Sequence, residues 1–299
     1  MDRIDAMRAF CAVVEAGGFA AAATRLGLST SAVSRHVAQL EGHLNTRLLT
    51  RTTRRVHTSD AGEAYYERAL QWLSELEEVE AVVAGEGLHP RGRLRLTAPL
   101  ALSIHKLAPA FSAFRQRYPD VTLDLLLSDN VADFAGEGLD LAIRVGRIGS
   151  ENLVARRIGE ATLVVVAAPS YLAARGTPTR PEALGGHDCM VYSYAATGAV
   201  WQFETRAGEA LEVRVSGAVR ANNGMLLAEM AAAGSGVAHV PDFLAAPYLQ
   251  SGRLVSLLDD WSFRALPIHA VYPTRRHLSA RVQAMVAFLT EWFARGHVA

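Results

Sequence analysis

Cysteine is almost missing from this 299-residue chain: Cys11 and Cys189 are the two it has, far apart and at no spacing that suggests a metal or redox pair. That leaves no disulfide framework. Cys11 shares a helix face with Ile4, Met7 and Val14, and both cysteines read as reduced core residues. Lysine is scarcer still, Lys106 being the only one. The 30 basic residues are matched by 30 acidic ones, so attraction for phosphate has to come from a local concentration of charge. No apolar run approaches the roughly 20 residues of a membrane helix, and MDRIDAMRAF has no cationic stretch leading into an apolar core. The chain is therefore expected in the cytoplasm, with no membrane partner. Catalytic signatures are missing as well: there is no HExxH, GxSxG or GxxxxGK, and no cluster of Cys and His for zinc. The ten histidines are scattered, and His36 and His43 lack a third partner. GSGVAH, at 234 to 239, has the wrong order for a nucleotide fingerprint, which follows a strand and opens a helix. Arg144-Val145-Gly146-Arg147 could bind an anion and is read as structural. No catalytic residue, metal or cofactor is expected.

What is present is a soluble globular composition, 50% hydrophobic and 20% charged, of a length for two or three domains. Asp2 can cap a first helix, with Asp5 in its first turn and Gly17-Gly18 ending it. From Phe19 to Leu44, FAAAATRLGLSTSAVSRHVAQLEGHL predicts two short helices around a turn at Gly27. Ala20, Ala22, Ala23 and Leu26 let a second helix approach closely. Ser29 or Thr30 can cap that helix, in which Val33, Val37, Leu40 and Leu44 recur on one face. The opposite face holds Thr30, Ser31, Ser34, Arg35 and Ala38, short groups around one long guanidinium. Such a helix can enter a DNA major groove N-terminus first; an ordinary helical hairpin is the plainer alternative. From Arg25 to His57 there are six arginines against one acid, Glu41. RLLTRTTRRVHT can fold as two strands around a Thr52-Thr53-Arg54 turn, a basic wing carrying Arg51, Arg54 and Arg55, or it can be a solvated loop.

These residues, FCAVVEAGGFAAAATRLGLSTSAVSRHVAQLE followed by TRLLTRTTRRVHTSDAGEAYY, closely resemble the DNA-binding end of LysR-type transcriptional regulators. Gly18 stands where that family usually has a capping serine, and Asn45 where it usually has glycine. Glycine is an acceptable cap and asparagine tolerates the left-handed conformation, so both fit the fold. The resemblance implies a sequence-specific DNA-binding regulator, with Thr30, Ser31, Ser34 and Arg35 on the reading helix and Arg51, Arg54 and Arg55 at the wing.

Thr58 is a plausible cap for a long helix from residue 59 to about 84, with Asp60 and Glu63 favourably placed against its dipole. Tyr65, Ala69, Trp72, Leu76, Val79 and Val83 are spaced 4, 3, 4, 3, 4, a heptad seam. The seam can pack on the helix's own domain; the resemblance favours Tyr65, Trp72, Leu76 and Val79 as a dimer contact.

GEGLHPRGR, residues 85 to 93, is the best domain boundary. Beyond it strands are expected at Arg93–Thr97, Val121–Leu127, Leu139–Val145, Thr162–Ala168, Cys189–Tyr192, Glu212–Val215, Gly236–Val240 and Pro267–Tyr272. Helices are expected near Lys106–Arg117, Gly224–Ala233, Asp242–Leu249 and Leu278–Ala294. Apolar strands such as LVVVAA alternating with helices predict an α/β fold. The resemblance implies that this part is two-lobed, like periplasmic binding proteins, the chain crossing near residue 161 and returning near 266. The expected organisation is α/β overall. An all-α winged helix-turn-helix spans 1–58, a linker helix and hinge 59–89, and an effector domain 90–299. Lobe I of that domain takes about 90–161 with 266–299, and lobe II about 162–265.

In such folds ligands sit at strand C-termini and helix N-termini. Thr97, Pro99, Leu100 and Ser103 follow the first strand, Ser128-Asp129-Asn130 the second, and Ala221-Asn222-Asn223-Gly224 leads into a second-lobe helix that carries Met225. Each Ser or Asn can equally be only a helix cap. Free N–H groups at helix starts favour an anion or a polar aromatic over a hydrocarbon as effector. Three functions are weighed: a ligand-responsive DNA-binding regulator, a small-molecule binding protein whose N-terminus only oligomerises it, and an α/β enzyme. The order of the motifs favours the first. Its expected partners are double-stranded DNA, a small organic effector, further copies of itself as homodimer and homotetramer, and RNA polymerase as a candidate.

Overall fold

The computed structural model describes residues 2–51, 56–83, 89–130, 134, 136–146, 148, 153–204, 210–261, 265–273 and 278–296. The chain forms two compact units, Met1–Arg93 with Ser279–Arg281, and Leu94–Leu278 with Val282–Ala299.

In the first unit α1 (Arg3–Ala16) is capped by the Asp2 carboxylate, which accepts from the Ile4 and Asp5 amides, and ends at Gly17 with φ 68°. Helix α2 (Phe19–Leu26) starts at Gly18 and stops at Gly27, whose φ of 66° is the left-handed turn that glycine makes at no steric cost. In α3 (Thr30–Leu44) the cap is Ser29, whose hydroxyl accepts from the Ala32 amide at 3.1 Å, and Asn45 closes the helix at φ 49°. Val33, Val37 and Leu40 are buried against Phe10, Val13 and Ala22. Burying each such side chain stabilises by roughly 1.5–3 kcal/mol. Strands β1 (Leu49–Arg51) and β2 (Val56–Thr58) pair antiparallel, Leu49 facing Thr58 and Arg51 facing Val56. The expected Thr52-Thr53-Arg54 turn lies outside the described residues.

Helix α4 (Asp60–Val83) is capped by Ser59 and not by Thr58. Ser59 Oγ accepts from the Gly62 amide at 3.0 Å and donates to the Arg47 carbonyl at 2.7 Å. Thr58 is committed to the strand pair, leaving the next residue free for the cap.

The second unit opens with β3 (Gly92–Ala98) and a helical run made of α5 (Leu100–Leu102), a π-helical turn (Ser103–Leu107) and α6 (Ala108–Arg117). The helix therefore begins before Lys106, and Ser103 lies inside the run. Next come β4 (Val121–Leu127), β5 (Leu141–Val145), β6 (Leu153–Ala161) and, in the second lobe, β7 (Leu163–Ala167), α7 (Pro169–Arg175) and β8 (Cys189–Tyr192). An antiparallel hairpin of β9 (Val200–Glu204) and β10 (Ala210–Arg214) follows, then β11 (Arg220–Ala221), α8 (Gly224–Ala232), β12 (Val237–Pro241), α9 (Asp242–Gln250) and β13 (Val255–Leu257). The chain returns through β14 (Leu266–Pro273) and finishes in α10 (Ala280–Ala294).

Two five-stranded sheets result, β4-β3-β5-β14-β6 in lobe I and β11-β8-β12-β7-β13 in lobe II. Strand β6 was not expected. LVARRIGEA is exposed over four consecutive residues at the sheet edge, so it shows no hydrophobic signal; pairing with β14 from Leu153 to Ala161 holds it. Lobe I is centred on Leu94, Leu96, Phe114, Ile143 and Leu289, and lobe II on Val165, Val166, Leu227 and Val237.

Two expectations follow from this packing. A Cβ added at Gly62 would stand 1.9 Å from the Leu48 carbonyl oxygen, a close approach only glycine permits. Gly62→Ala should cost at least about 1–3 kcal/mol, as overpacking does, and thermal unfolding will show it as a lowered midpoint. His239 lies on β12 with its ring 5.0 Å from Trp201, and burial pushes its imidazole down from the usual 6.5 to about 3. The fold prefers neutral His239, so this contribution is complete above pH 6.5 and is lost as pH falls toward 3. Urea unfolding at pH 7 and pH 5 should show wild type losing about 1–2 kcal/mol more than His239→Gln.

Candidate nucleic-acid interface and interlobe cleft

With one face of α3 sealed in the core, Thr30, Ser31, Arg35 and Ala38 stand exposed and Ser34 half-buried on the other. The hydroxyls of Ser29 and Ser31 lie 3.0 Å apart at the helix start, and Arg35 and Gln39, one turn apart, are the long exposed side chains of that face. The single acid of this arginine-rich stretch is engaged by the backbone. Glu41 Oε1 accepts from the amides of Leu48 (2.8 Å) and Leu49 (3.0 Å), so the carboxylate fixes where the wing leaves the helix. Arg25 is held in an ion pair with Glu15. The Arg51 side chain, Arg54 and Arg55 lie outside the described residues.

Along α4 the seam divides. Ala69 is fully buried, and the ring of Tyr65 meets Phe10 edge-on at 5.7 Å, so these two positions serve the helix's own domain. Tyr65 is only half-buried by this packing, which leaves the dimer contact expected of it open. Trp72 is 54% exposed, Val79 53% and Val83 83%, with Leu76 half-buried among them: an apolar stripe that the described residues leave uncovered.

In the second unit the segments that follow β4 in lobe I and β8 and β11 in lobe II meet. Ser128, just past β4, donates its amide to the carbonyl of Ala98 at the end of β3 (3.0 Å). In lobe II, Ser193, just past β8, donates to Ala221 at the end of β11 (2.8 Å). From there the Tyr194 hydroxyl crosses to the Asn130 side-chain oxygen of lobe I, and Asn222 Nδ2 reaches the same hydroxyl at 3.3 Å. Asn130, Tyr194 and Asn222 thus form a polar bridge across the cleft.

The residues expected at this site divide by what their polar atoms do. Thr97 is fully buried, and its hydroxyl accepts from Arg144 at 3.3 Å. Ser128 Oγ accepts from the Asn130 amide at 3.1 Å, a turn that aims Asn130 at Tyr194. Pro99 and Leu100 are half-buried, and Met225 reaches from α8 onto the lobe I core. Ser103 is turned back into its own helix, donating to the Pro99 carbonyl at 2.8 Å, and Asn223 caps α8 by accepting from Leu226 at 3.0 Å. Arg144, read as structural from the sequence, lies beside Thr97. Lys106 does not enter the polar bridge; its Nζ stands 5.9 Å from the centre of the Phe243 ring. Among the described residues no group of three or more His, Cys, Asp or Glu could hold a metal ion, and no helix is long and apolar enough to cross a membrane.

Residues 4–63 match the model of the bacterial regulatory helix-turn-helix protein, lysR family, and residues 88–294 match the LysR substrate binding domain. The chain belongs to the LysR family of transcriptional regulators. It is 36% identical over 287 residues to the HTH-type transcriptional regulator PtxR of Pseudomonas aeruginosa, covering 96% of this chain and 92% of PtxR. An uncharacterized HTH-type transcriptional regulator of Haemophilus influenzae is 34% identical, with 94% of this chain and 98% of that one covered. Among solved structures, CrgA of Neisseria meningitidis, a LysR-type transcriptional regulator, is 31% identical with a TM-score of 0.59, covering 97% and 98% of the two chains. This LysR-type regulator thus pairs a helix-turn-helix DNA-binding domain with an effector-binding domain. Sequence reasoning reached Asn130 and Asn222, as part of Ser128-Asp129-Asn130 and Ala221-Asn222-Asn223-Gly224, but passed over Tyr194. The signal for Asn130 and Asn222 was their place just past strand ends, whereas Tyr194 lies in a turn with no periodic pattern.

Proposed function

We propose that Arg35 and the neighbouring hydroxyls of α3 read operator bases while the wing arginines hold phosphates, and that a small organic effector bound between lobes I and II sets the activity. One observation supports DNA reading by α3: a helix with one face sealed in the core presents short groups, one guanidinium and the Gln39 amide on the other, a shape and chemistry a major groove admits. The bridge through Tyr194 supports the interlobe location, since a ligand there touches both lobes and can favour one arrangement over another. A ligand with equal affinity for both arrangements would shift nothing. Two copies of the chain associate through Trp72, Leu76 and Val79. Assembly beyond a dimer needs a second surface, for which Leu125, Leu126 and Leu127, exposed on the edge strand β4, are suited. The protein works in the cytoplasm as a regulator, not an enzyme, without metal or cofactor, and RNA polymerase is its further contact.

Salt-dependent DNA binding tests the first part. Arg35→Ala should lose about 1–3 kcal/mol on the operator and discriminate less between operator and random DNA, whereas Arg54→Ala should weaken both alike and lower the salt slope by about one. Equal losses on both DNAs for both variants would remove Arg35 from the bases. Sedimentation tests the seam: Leu76→Glu places like charges opposite each other and should lower the mass of the assembly at micromolar concentration, while an unchanged mass would place the interface elsewhere.

A further inference from the structure

The lobe I side of the cleft holds two opposite charges that are close yet not joined. Arg144 is pinned at the end of β5, with Nη1 donating to the Ile143 carbonyl at 2.8 Å and Nη2 to Thr97 Oγ1 at 3.3 Å. Asp129 lies just past the end of β4, two strands away in the order β4-β3-β5. Burial raises the carboxyl pKa of Asp129 and Arg144 draws it back down; burial lowers that of Arg144, and Asp129 and then Glu137 raise it. No ion pair within 4.0 Å connects the two, and among the described residues no hydrogen bond engages the Asp129 carboxylate. Half-buried charges kept apart bear a desolvation cost that their mutual attraction only partly offsets. A molecule with one group of each sign would complete both.

The facing wall supplies the rest of the contact surface. Tyr192, at the end of β8, meets the ring of Tyr194 edge-on at 6.0 Å. Asp129 stands between Ser128, whose amide donates to the Ala98 carbonyl beside Thr97, and Asn130, whose side chain accepts from Tyr194, so its place in the chain lies between the Thr97–Arg144 pair and the two tyrosines. A plain carboxylate would gain Arg144 but meet Asp129; a plain amine would meet the reverse.

We propose that the effector is a free α-amino acid, its carboxylate on Arg144 and Thr97, its ammonium on Asp129, and its side chain against Tyr192 and Tyr194. This rests on the interlobe reading above. It narrows the ligand from an anion or a polar aromatic to a zwitterion, with aromatic amino acids the first to try because two tyrosine rings line the wall.

The test is calorimetry on the full-length protein with the twenty amino acids, then with the des-amino acid and the methyl ester of the one that binds best. The expected result is one amino acid that binds, with each analogue weaker by about tenfold to a hundredfold, the worth of one charge-assisted hydrogen bond. Arg144→Met should abolish binding and Arg144→Lys restore part of it, while Asp129→Asn should bind the amino acid and its des-amino analogue alike. Tyr194→Phe, which removes the bridge, reports on the cleft itself. If a des-amino acid binds wild type and Asp129→Asn equally but Tyr194→Phe poorly, the cleft stands and the zwitterion is wrong. If an amino acid binds all four variants as it binds wild type, the ligand lies elsewhere and both readings fall. If none of the twenty binds, the amino-acid assignment is overturned. Unchanged operator binding and circular dichroism exclude misfolding of a variant.

Discussion

Two lobes drawn from one chain can move against each other only where the chain passes between them, and the cleft depends on how that passage is held. At the first crossing β6 ends at Ala161 and β7 begins at Leu163, and the carbonyl of Thr162 between them accepts from the Asp242 amide at 2.9 Å. The next two residues, Phe243 and Leu244, begin helix α9 of the second lobe yet are buried in the core of the first. A helix start that belongs to one sheet and packs into the other makes a tie between them. Separation at this point would expose apolar surface, so Phe243 and Leu244 hold the lobes together there. The polar bridge is the second tie, and one hydroxyl, Tyr194, serves two lobes through Asn130 and Asn222.

The N-terminal unit solves a different problem: presenting a flat polar face from a very small core. Its means are close approaches. Ala22 and Ala23 let α2 lie against its neighbours, and Gly62 lets α4 run directly over the Leu48 carbonyl. Glu41 ties the start of the wing to α3 through two amides, so a carboxylate inside a basic surface contributes geometry as well as charge. Replacing it would cost the wing its position and alter the field felt by DNA.

Where local rules decide, the sequence could be read closely. The buried face of α3, the left-handed turns at Gly27 and Asn45, and strand β4 from Val121 to Leu127 follow from periodicity and turn chemistry within a few residues. Where partners are distant in the chain, it could not. Strand β6 carries arginines and a glutamate and becomes a strand only because β14 lies beside it. Ser103 sits after a strand like a ligand contact, but the helix starts before it and claims its hydroxyl. Arg144 resembled any solvated arginine after a strand; Thr97, 47 positions earlier, is what places it in the cleft. The wall of the cleft comes from Asn130, Tyr194 and Asn222, and the Tyr194–Asn130 contact spans 64 positions. No pattern within a window could join them.

The scarcity of lysine acquires a practical meaning at the contact between the lobes. Lys106 carries the only side-chain amine of the chain, and it lies over the ring of Phe243, the residue that plugs one lobe into the other. A reagent directed at primary amines would therefore have a single internal target. A fluorophore or mass tag carried by that amine would sit where one lobe packs into the other, turning a compositional accident into a built-in label for that contact.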